Sequence, residues 1–224
     1  PSAFGPGPGV MILGVTPELY EEVADRSADV LAVDASPEMI AHVWPGPPER
    51  ARRGDWRALG IPDASRELVL CDGGLMLLDH PSGQRALVRE LARVLVPGGV
   101  FLLRLYLPAT TPENPAEILA DLRAGKFGSS NAFRFKLCAA MQRSPEEGVA
   151  LADVWRAVHA AAPDPDELSR LTGWPREHQK MIDVFRDNPA RFHYVALPRF
   201  RELFEREPGG FELLRLHYGA YELS

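Results

Sequence analysis

Apolar residues fall into short unbroken runs in the first half of the chain and into helical spacing in much of the second. Val10-Met11-Ile12-Leu13 is one such run, closed by Gly14, and reads as a strand buried on both faces. Thr16-Pro17-Glu18 then opens a helix: Thr suits the N-cap, Pro the first helical position, and Glu the positive end of the helix dipole. Residues 29–34 repeat the strand pattern and end on Asp34, and Ser36-Pro37-Glu38 repeats the helix start. Strand, helix and strand within about thirty residues make a βαβ unit with parallel strands and a right-handed crossover.

The same grammar continues. Residues 50–53 read as a short edge-like strand before Gly54-Asp55-Trp56, and residues 67–72 as a strand ending on Asp72, with Gly73-Gly74 behind it. Leu87, Val88, Leu91, Val94 and Leu95 share one face of a helix over 82–95. Pro97-Gly98-Gly99 stops it, and residues 100–107 predict the next strand. Beyond residue 108 helical patterns take over, near 115–124, 131–142, 149–161, 166–172 and 176–187. That stretch is too long for a loop and predicts a helical insertion or cap. Residues 197–205 predict one more helix, and residues 211–216 alternate as a last strand. The expected class is α/β, a doubly wound, mostly parallel sheet with a helical insertion after the fifth strand. Residues 1–107 would form the cofactor-binding part of the core, 108–195 the insertion, and 196–224 a helix and strand completing the core.

Composition narrows the function classes. With 224 residues, 46% apolar and 25% charged, the chain can bury an ordinary globular core. Net charge is −6 and no Lys/Arg block stands alone, which disfavours nucleic acid as partner. Cys71 and Cys138 sit among apolar residues and read as buried thiols, so neither a metal site nor a disulfide framework is expected. No apolar run is long enough to span a membrane and no signal-peptide pattern is seen, so the expected setting is cytoplasmic. The first residue is Pro1, not Met, which leaves the native start open. The glycines of residues 1–9 precede the first strand and so do not form a phosphate loop.

Chemistry enters at Gly14 and Asp34, which stand at the carboxyl ends of the first two strands, where open parallel sheets bind ligands. A carboxylate there can accept from both hydroxyls of a ribose, and a glycine lets the ligand lie against backbone. A plainer reading makes Asp34 a helix cap, but Ser36 already supplies one. A dinucleotide needs bare amides in a G-x-G-x-x-G turn. Here the turn is Gly14-Val15-Thr16-Pro17-Glu18-Leu19: Pro17 has no amide hydrogen, and Glu18 puts negative charge where a phosphate would lie. NAD and FAD are disfavoured, and a ribose ligand without phosphate, such as S-adenosylmethionine, is not.

The succession of motifs resembles the class I S-adenosylmethionine-dependent methyltransferases over residues 10–107, less than half the chain. Ile12-Leu13-Gly14 with Thr16 resembles the first glycine motif, and Val33-Asp34-Ala35-Ser36-Pro37-Glu38-Met39-Ile40 the acid of the second strand with its helix. Gly54-Asp55-Trp56 resembles the acidic loop after the third strand. Residues 68–72 resemble the fourth strand, and residues 91–100 the helix, Pro-Gly-Gly and strand segment. The resemblance implies that Asp34 binds the ribose and that Gly14, Val15 and Thr16 lie against the methionine part. It implies too that Ser36, Met39, Asp55 and Trp56 hold the adenine, with Asp72 and Gly73 beneath the methionine end.

Two features depart from the family: the first motif has Ile12 in place of its acid and Gly14 as its single glycine, and of the antiparallel strand pair that ends the family's sheet only the first strand is legible before Ser224. A bulkier turn keeps a second reading open, a non-catalytic binding or interaction protein of the same fold; an NAD(P)-dependent oxidoreductase is the third. The expected acceptor is a small molecule, with Asp79 and His80, after the fourth strand, as candidates for a proton-accepting group. His193-Tyr194 and the aromatic residues Phe127, Phe133, Phe135, Trp155 and Trp174 could face an acceptor or simply pack. Neither the acceptor nor the oligomeric state is readable from the sequence.

Overall fold

Five parallel strands form the central sheet in a computed structural model of the chain, which describes residues 9–207 and 210–219. They are β1 (Val10–Leu13), β2 (Val30–Asp34), β3 (Ala51–Arg53), β4 (Arg66–Asp72) and β5 (Leu95–Arg104), in the order β3-β2-β1-β4-β5. β1 is central, and its four residues are at most 2% exposed, as the unbroken apolar run requires. Ile12 lies between Ala32 of β2 and Leu70 of β4, and Leu70 pairs in turn with Leu102 of β5. The order reverses direction at β1, so right-handed crossovers place the helices between β1 and β3 on one face and the helix between β4 and β5 on the other. This is the doubly wound arrangement.

On the first face, α1 (Pro17–Ala24) and α2 (Pro37–His42) cover the sheet. Leu19, Tyr20, Val23 and Ile40 pack there with Val10, Ile12, Ala32 and Leu70. On the second face, α3 (Ser82–Val94) buries Leu87, Val88, Leu91 and Val94 completely. Helix α9 (Leu197–Arg206) brings Phe204 onto Phe101 of β5, stacked at 6.0 Å. The neighbouring Leu102 points to the opposite face and is 57% exposed.

β5 differs from its expected bounds at both ends. Leu95 already pairs with Arg66, and the register then shifts before Val100 pairs with Leu68. Pro97, which lacks a donor, and Gly98 at φ +81° carry the chain around this irregularity. The strand stops at Arg104 rather than at residue 107. The strand expected over 211–216 does not form: residues 210–219 are irregular, and Leu213, Leu214 and Leu216 are half to three-quarters exposed. Alternation alone makes no strand without a neighbouring edge to bond to.

The described residues divide into two compact units, 9–105 with 198–212, and 106–197 with 213–219. The second holds α4 (Pro115–Arg123), α5 (Ser130–Met141), α6 (Leu151–Ala161), α7 (Pro165–Thr172) and α8 (Arg176–Asp183). A two-residue antiparallel pair, β6 (Val149–Ala150) and β7 (Arg191–Phe192), accompanies them. Such a pair is too short for any periodicity to reveal. Phe133 meets Phe127 at 5.2 Å and Trp174 at 5.8 Å, and the Trp174 indole donates to the Phe127 carbonyl at 2.9 Å. These rings form the unit's core. The Gln142 side chain pairs with the backbone of Tyr194, donating to its carbonyl at 2.8 Å and accepting its N–H at 2.7 Å. Among the described residues no helix is long and apolar enough to cross a membrane.

Candidate active site

The carboxyl ends of β1, β2 and β4 converge on one small region. Gly14 follows β1 at φ +98°, a conformation that strains any L side chain. Its N–H donates to the Val33 carbonyl at 2.8 Å, joining the turn to the end of β2. An added Cβ would meet Asp34 Oδ2 at 3.8 Å and Trp56 at 3.7 Å, ordinary distances, so the dihedral rather than space calls for glycine. Val15 is 5% exposed and packs into the core beneath the turn, while Thr16 begins α1 without a side-chain cap.

Asp34 ends β2 and is half-buried. Its Oδ1 accepts the Ser36 N–H at 2.8 Å, and Oδ2 accepts no hydrogen bond among the described residues. Ser36 caps α2 by accepting the Met39 N–H at 3.1 Å, as its place before Pro37 predicts. Asp34 is therefore not the helix cap. Met39 is 42% exposed on the first turn of α2.

Asp55 follows β3, and both of its oxygens are taken by Arg57, at 2.7 Å from Nη2 to Oδ2 and 2.9 Å from Nε to Oδ1. The Arg57 hydrogen bond holds the Asp55 carboxyl below the ordinary carboxylate range. Trp56 is 9% exposed and donates its indole N–H to the Val33 carbonyl at 2.7 Å. Gly54, just before, lies so close to Val33 that a Cβ would sit 2.7 Å from its side chain.

After β4, Asp72 forms a two-pronged ion pair with Arg104 of β5, and Gly73 turns the chain at φ +67°. Asp72, Cys71, Leu102, Arg104, Glu18, Leu19 and Glu22 line a hollow of about 480 Å³ beside α1. Asp79 accepts from the Ser82 hydroxyl and from the Gly83 N–H at 3.1 Å, starting α3, and the Ser82 bond holds its carboxyl below the ordinary value. His80 is 6% exposed. Gln84 Nε2 donates to the carbonyls of Leu75 and Leu78, so its Oε1 accepts from His80 Nδ1 at 2.9 Å and fixes the proton on that nitrogen. In the helical unit, His193 and Tyr194 are both buried, and His193 Nδ1 bonds the Pro145 carbonyl at 2.8 Å.

The structure thus brings Gly14, Asp34, Trp56 and Gly73 to one edge, and commits Asp55 and Asp72 to arginines. Sequence reasoning missed Arg57, Arg104 and Gly74. The spacing Asp55-x-Arg57 was a signal for the first; the second becomes visible only when β4 pairs with β5. The geometry suits a ribose without phosphate: one carboxylate oxygen of Asp34 points at the glycine turn, while Pro17 and Glu18 occupy the first turn of α1. Among the described residues no three His, Cys, Asp or Glu side chains cluster as metal ligands would.

Residues 5–103 match the family described as a methyltransferase domain. A probable S-adenosylmethionine-dependent methyltransferase of Mycolicibacterium smegmatis is 35% identical over 82 residues, 36% of this chain and 31% of that protein. The chain thus spans about a third of that relative's length. A solved S-adenosylmethionine-dependent methyltransferase from Mesorhizobium loti is 24% identical over 45% of this chain and 48% of its own, with a TM-score of 0.37. A Rhodobacter sphaeroides structure described as a Zn-dependent alcohol dehydrogenase covers 91% of this chain and 74% of its own at a TM-score of 0.59. It is 15% identical, so that likeness carries the fold alone. Over residues 5–103, less than half of the chain, the α/β unit is thus similar to S-adenosylmethionine-dependent methyltransferases.

Proposed function

We propose that the chain transfers a methyl group from S-adenosylmethionine to a small-molecule acceptor in the cytoplasm. The observation that carries this reading is the Oδ2 atom of Asp34, which accepts no hydrogen bond among the described residues and faces the Gly14 turn where the ends of two adjacent parallel strands meet. Asp34 would accept from the ribose hydroxyls, with its Oδ1 already anchored. Gly14, Val15 and Thr16 would offer backbone to the methionine part, and Ser36 and the exposed Met39 would border the adenine. Trp56 would stand at the same edge, and Asp72 and Gly73 beneath the methionine end. Asp55 can accept from an exocyclic amine only by releasing one of its bonds to Arg57.

When bound, the cofactor supplies an electrophilic methyl on a sulfonium. The protein's task is to hold an acceptor atom in line with it at a contact of about 3–3.5 Å. A base is needed only for an acceptor that keeps its proton. Asp79 is engaged in starting α3, so it offers little basicity. His80 would have to act through Nε2, because its Nδ1 proton is held by Gln84. The two buried thiols, neither in a disulfide, are in keeping with a reducing compartment.

Calorimetric titration with S-adenosylmethionine and S-adenosylhomocysteine, on the wild type and on Asp34→Ala, tests the reading. Saturable binding that the substitution weakens supports it. No binding at millimolar ligand, or binding of NAD(P)H instead, overturns it. The single glycine of the turn favours one other reading, a binding or interaction module of the same fold without catalysis, which predicts no nucleoside binding by the wild type.

A further inference from the structure

Trp56 occupies the point where three loops meet at the carboxyl edge of the sheet. Its indole N–H and the Gly14 N–H both end on the Val33 carbonyl, at 2.7 and 2.8 Å. One oxygen, one residue before Asp34, therefore ties the indole to the glycine turn. The ring also rests on bare backbone. A Cβ on Gly74 would stand 2.5 Å from Trp56 Cη2 and 2.8 Å from Cζ3, so only glycine fits there while the indole is in place. A Cβ on Gly14 would lie 3.7 Å from Cζ2 of the same ring. A ring bonded at one edge, packed on two glycines and 9% exposed has no room to turn onto a ligand.

The family resemblance puts Trp56 or Met39 on a face of the adenine. We infer that Trp56 is instead a positioning residue, a fixed wall that holds the Gly14 turn and, through Val33, the Asp34 carboxylate in their binding geometry. The inference rests on the cofactor reading proposed above. A site held by packing and hydrogen bonds before the ligand arrives binds with less ordering to do. The turn here has one glycine, and its shape is supported from Trp56 on the neighbouring loop.

The test compares S-adenosylhomocysteine affinity in the wild type, Trp56→Phe, Trp56→Leu, Gly74→Ala and the double variant Gly74→Ala/Trp56→Leu. Trp56→Phe keeps a ring and loses the N–H, and should weaken binding roughly 3- to 10-fold. Gly74→Ala displaces the indole and should weaken binding in the Trp background, but by less than about 2-fold in the Leu background, where the clash is gone. In the wild type, the indole N–H resonance of Trp56, identified by its loss in Trp56→Phe, should shift when ligand is added.

Unchanged affinity in Trp56→Phe with an unmoved indole resonance overturns the inference, as does tighter binding by Trp56→Leu, which would make the ring an obstruction. Wild type that fails to bind overturns the cofactor reading itself. Wild type that binds, beside an indifferent Trp56, overturns only the positioning role. The resonance needs no variant beyond the conservative one, so a misfolded Trp56→Leu leaves the question answerable.

Discussion

Asp34 accepts the backbone N–H of Ser36 through one carboxylate oxygen at 2.8 Å and turns the other toward Gly14. The side chain is thereby oriented from within its own turn. Hydrogen bonds to a carboxylate are worth roughly 1.5–3 kcal/mol each. Asp34→Ala should therefore lower affinity for S-adenosylhomocysteine at least ~10-fold by calorimetry. Asp34→Asn can keep an acceptor toward Ser36 and so should fall between the two. Equal affinity in all three proteins would remove Asp34 from the site.

Acid should weaken the α/β unit through Glu90. Its carboxylate accepts from Arg93 at 2.6 and 2.9 Å and from the Leu59 N–H at 2.7 Å. The Arg93 bonds, against opposing burial, hold its folded pKa below the ordinary 4.5. A lowered folded pKa means stability that is present above 4.5 and lost as pH falls through the folded value. Urea midpoints should decline below that pH, and less steeply in Glu90→Gln. Parallel declines for the two proteins would refute the assignment.

The thiols of Cys71 and Cys138 are both buried, and burial pushes each up to about 12. At pH 8 about one part in ten thousand of each is thiolate. The native protein should leave a thiol reagent unreacted over minutes, and denaturant should expose both cysteines. Rapid native labelling of either would show that its surroundings open far more readily than the packing suggests.

Helix α9 is fastened to α3 by Glu207, whose side chain is 8% exposed and pairs with Arg89 at 2.5 Å and Arg85 at 3.6 Å. Both arginines are largely in solvent, which discounts the pairs. Glu207→Gln should cost about 1 kcal/mol and lower Tm by about 2–4 °C. Arg89→Ala should cost less, since Arg85 remains. A Tm unchanged in Glu207→Gln would show that aromatic packing alone holds the helix.

The strands β1, β2 and β4 were legible because each is a short apolar run stopped by glycine or an acid, and α2 because Ser36, Pro37 and Glu38 all say the same thing. Asp34 was legible for the same reason: a second cap made its carboxylate spare. What escaped were features that exist only once strands are paired. Arg104 reaches Asp72 across β4 and β5, Gly74 owes its identity to a ring from the loop after β3, and the early start of β5 depends on a shift opposite Arg66. The alternation at 211–216 misled because a period of two describes how a strand would face, not whether an edge is there to receive it.

The α/β unit is not contiguous in the chain: Phe101 is stacked by Phe204, which follows only after residues 106–197. On the ribosome, β5 therefore emerges well before the helix that covers its inner face. Through that interval Phe101 is without its stacking partner, while the helical unit, whose chain is largely made by then, is free to fold first. The order of synthesis makes α9 a late step in completing the first unit.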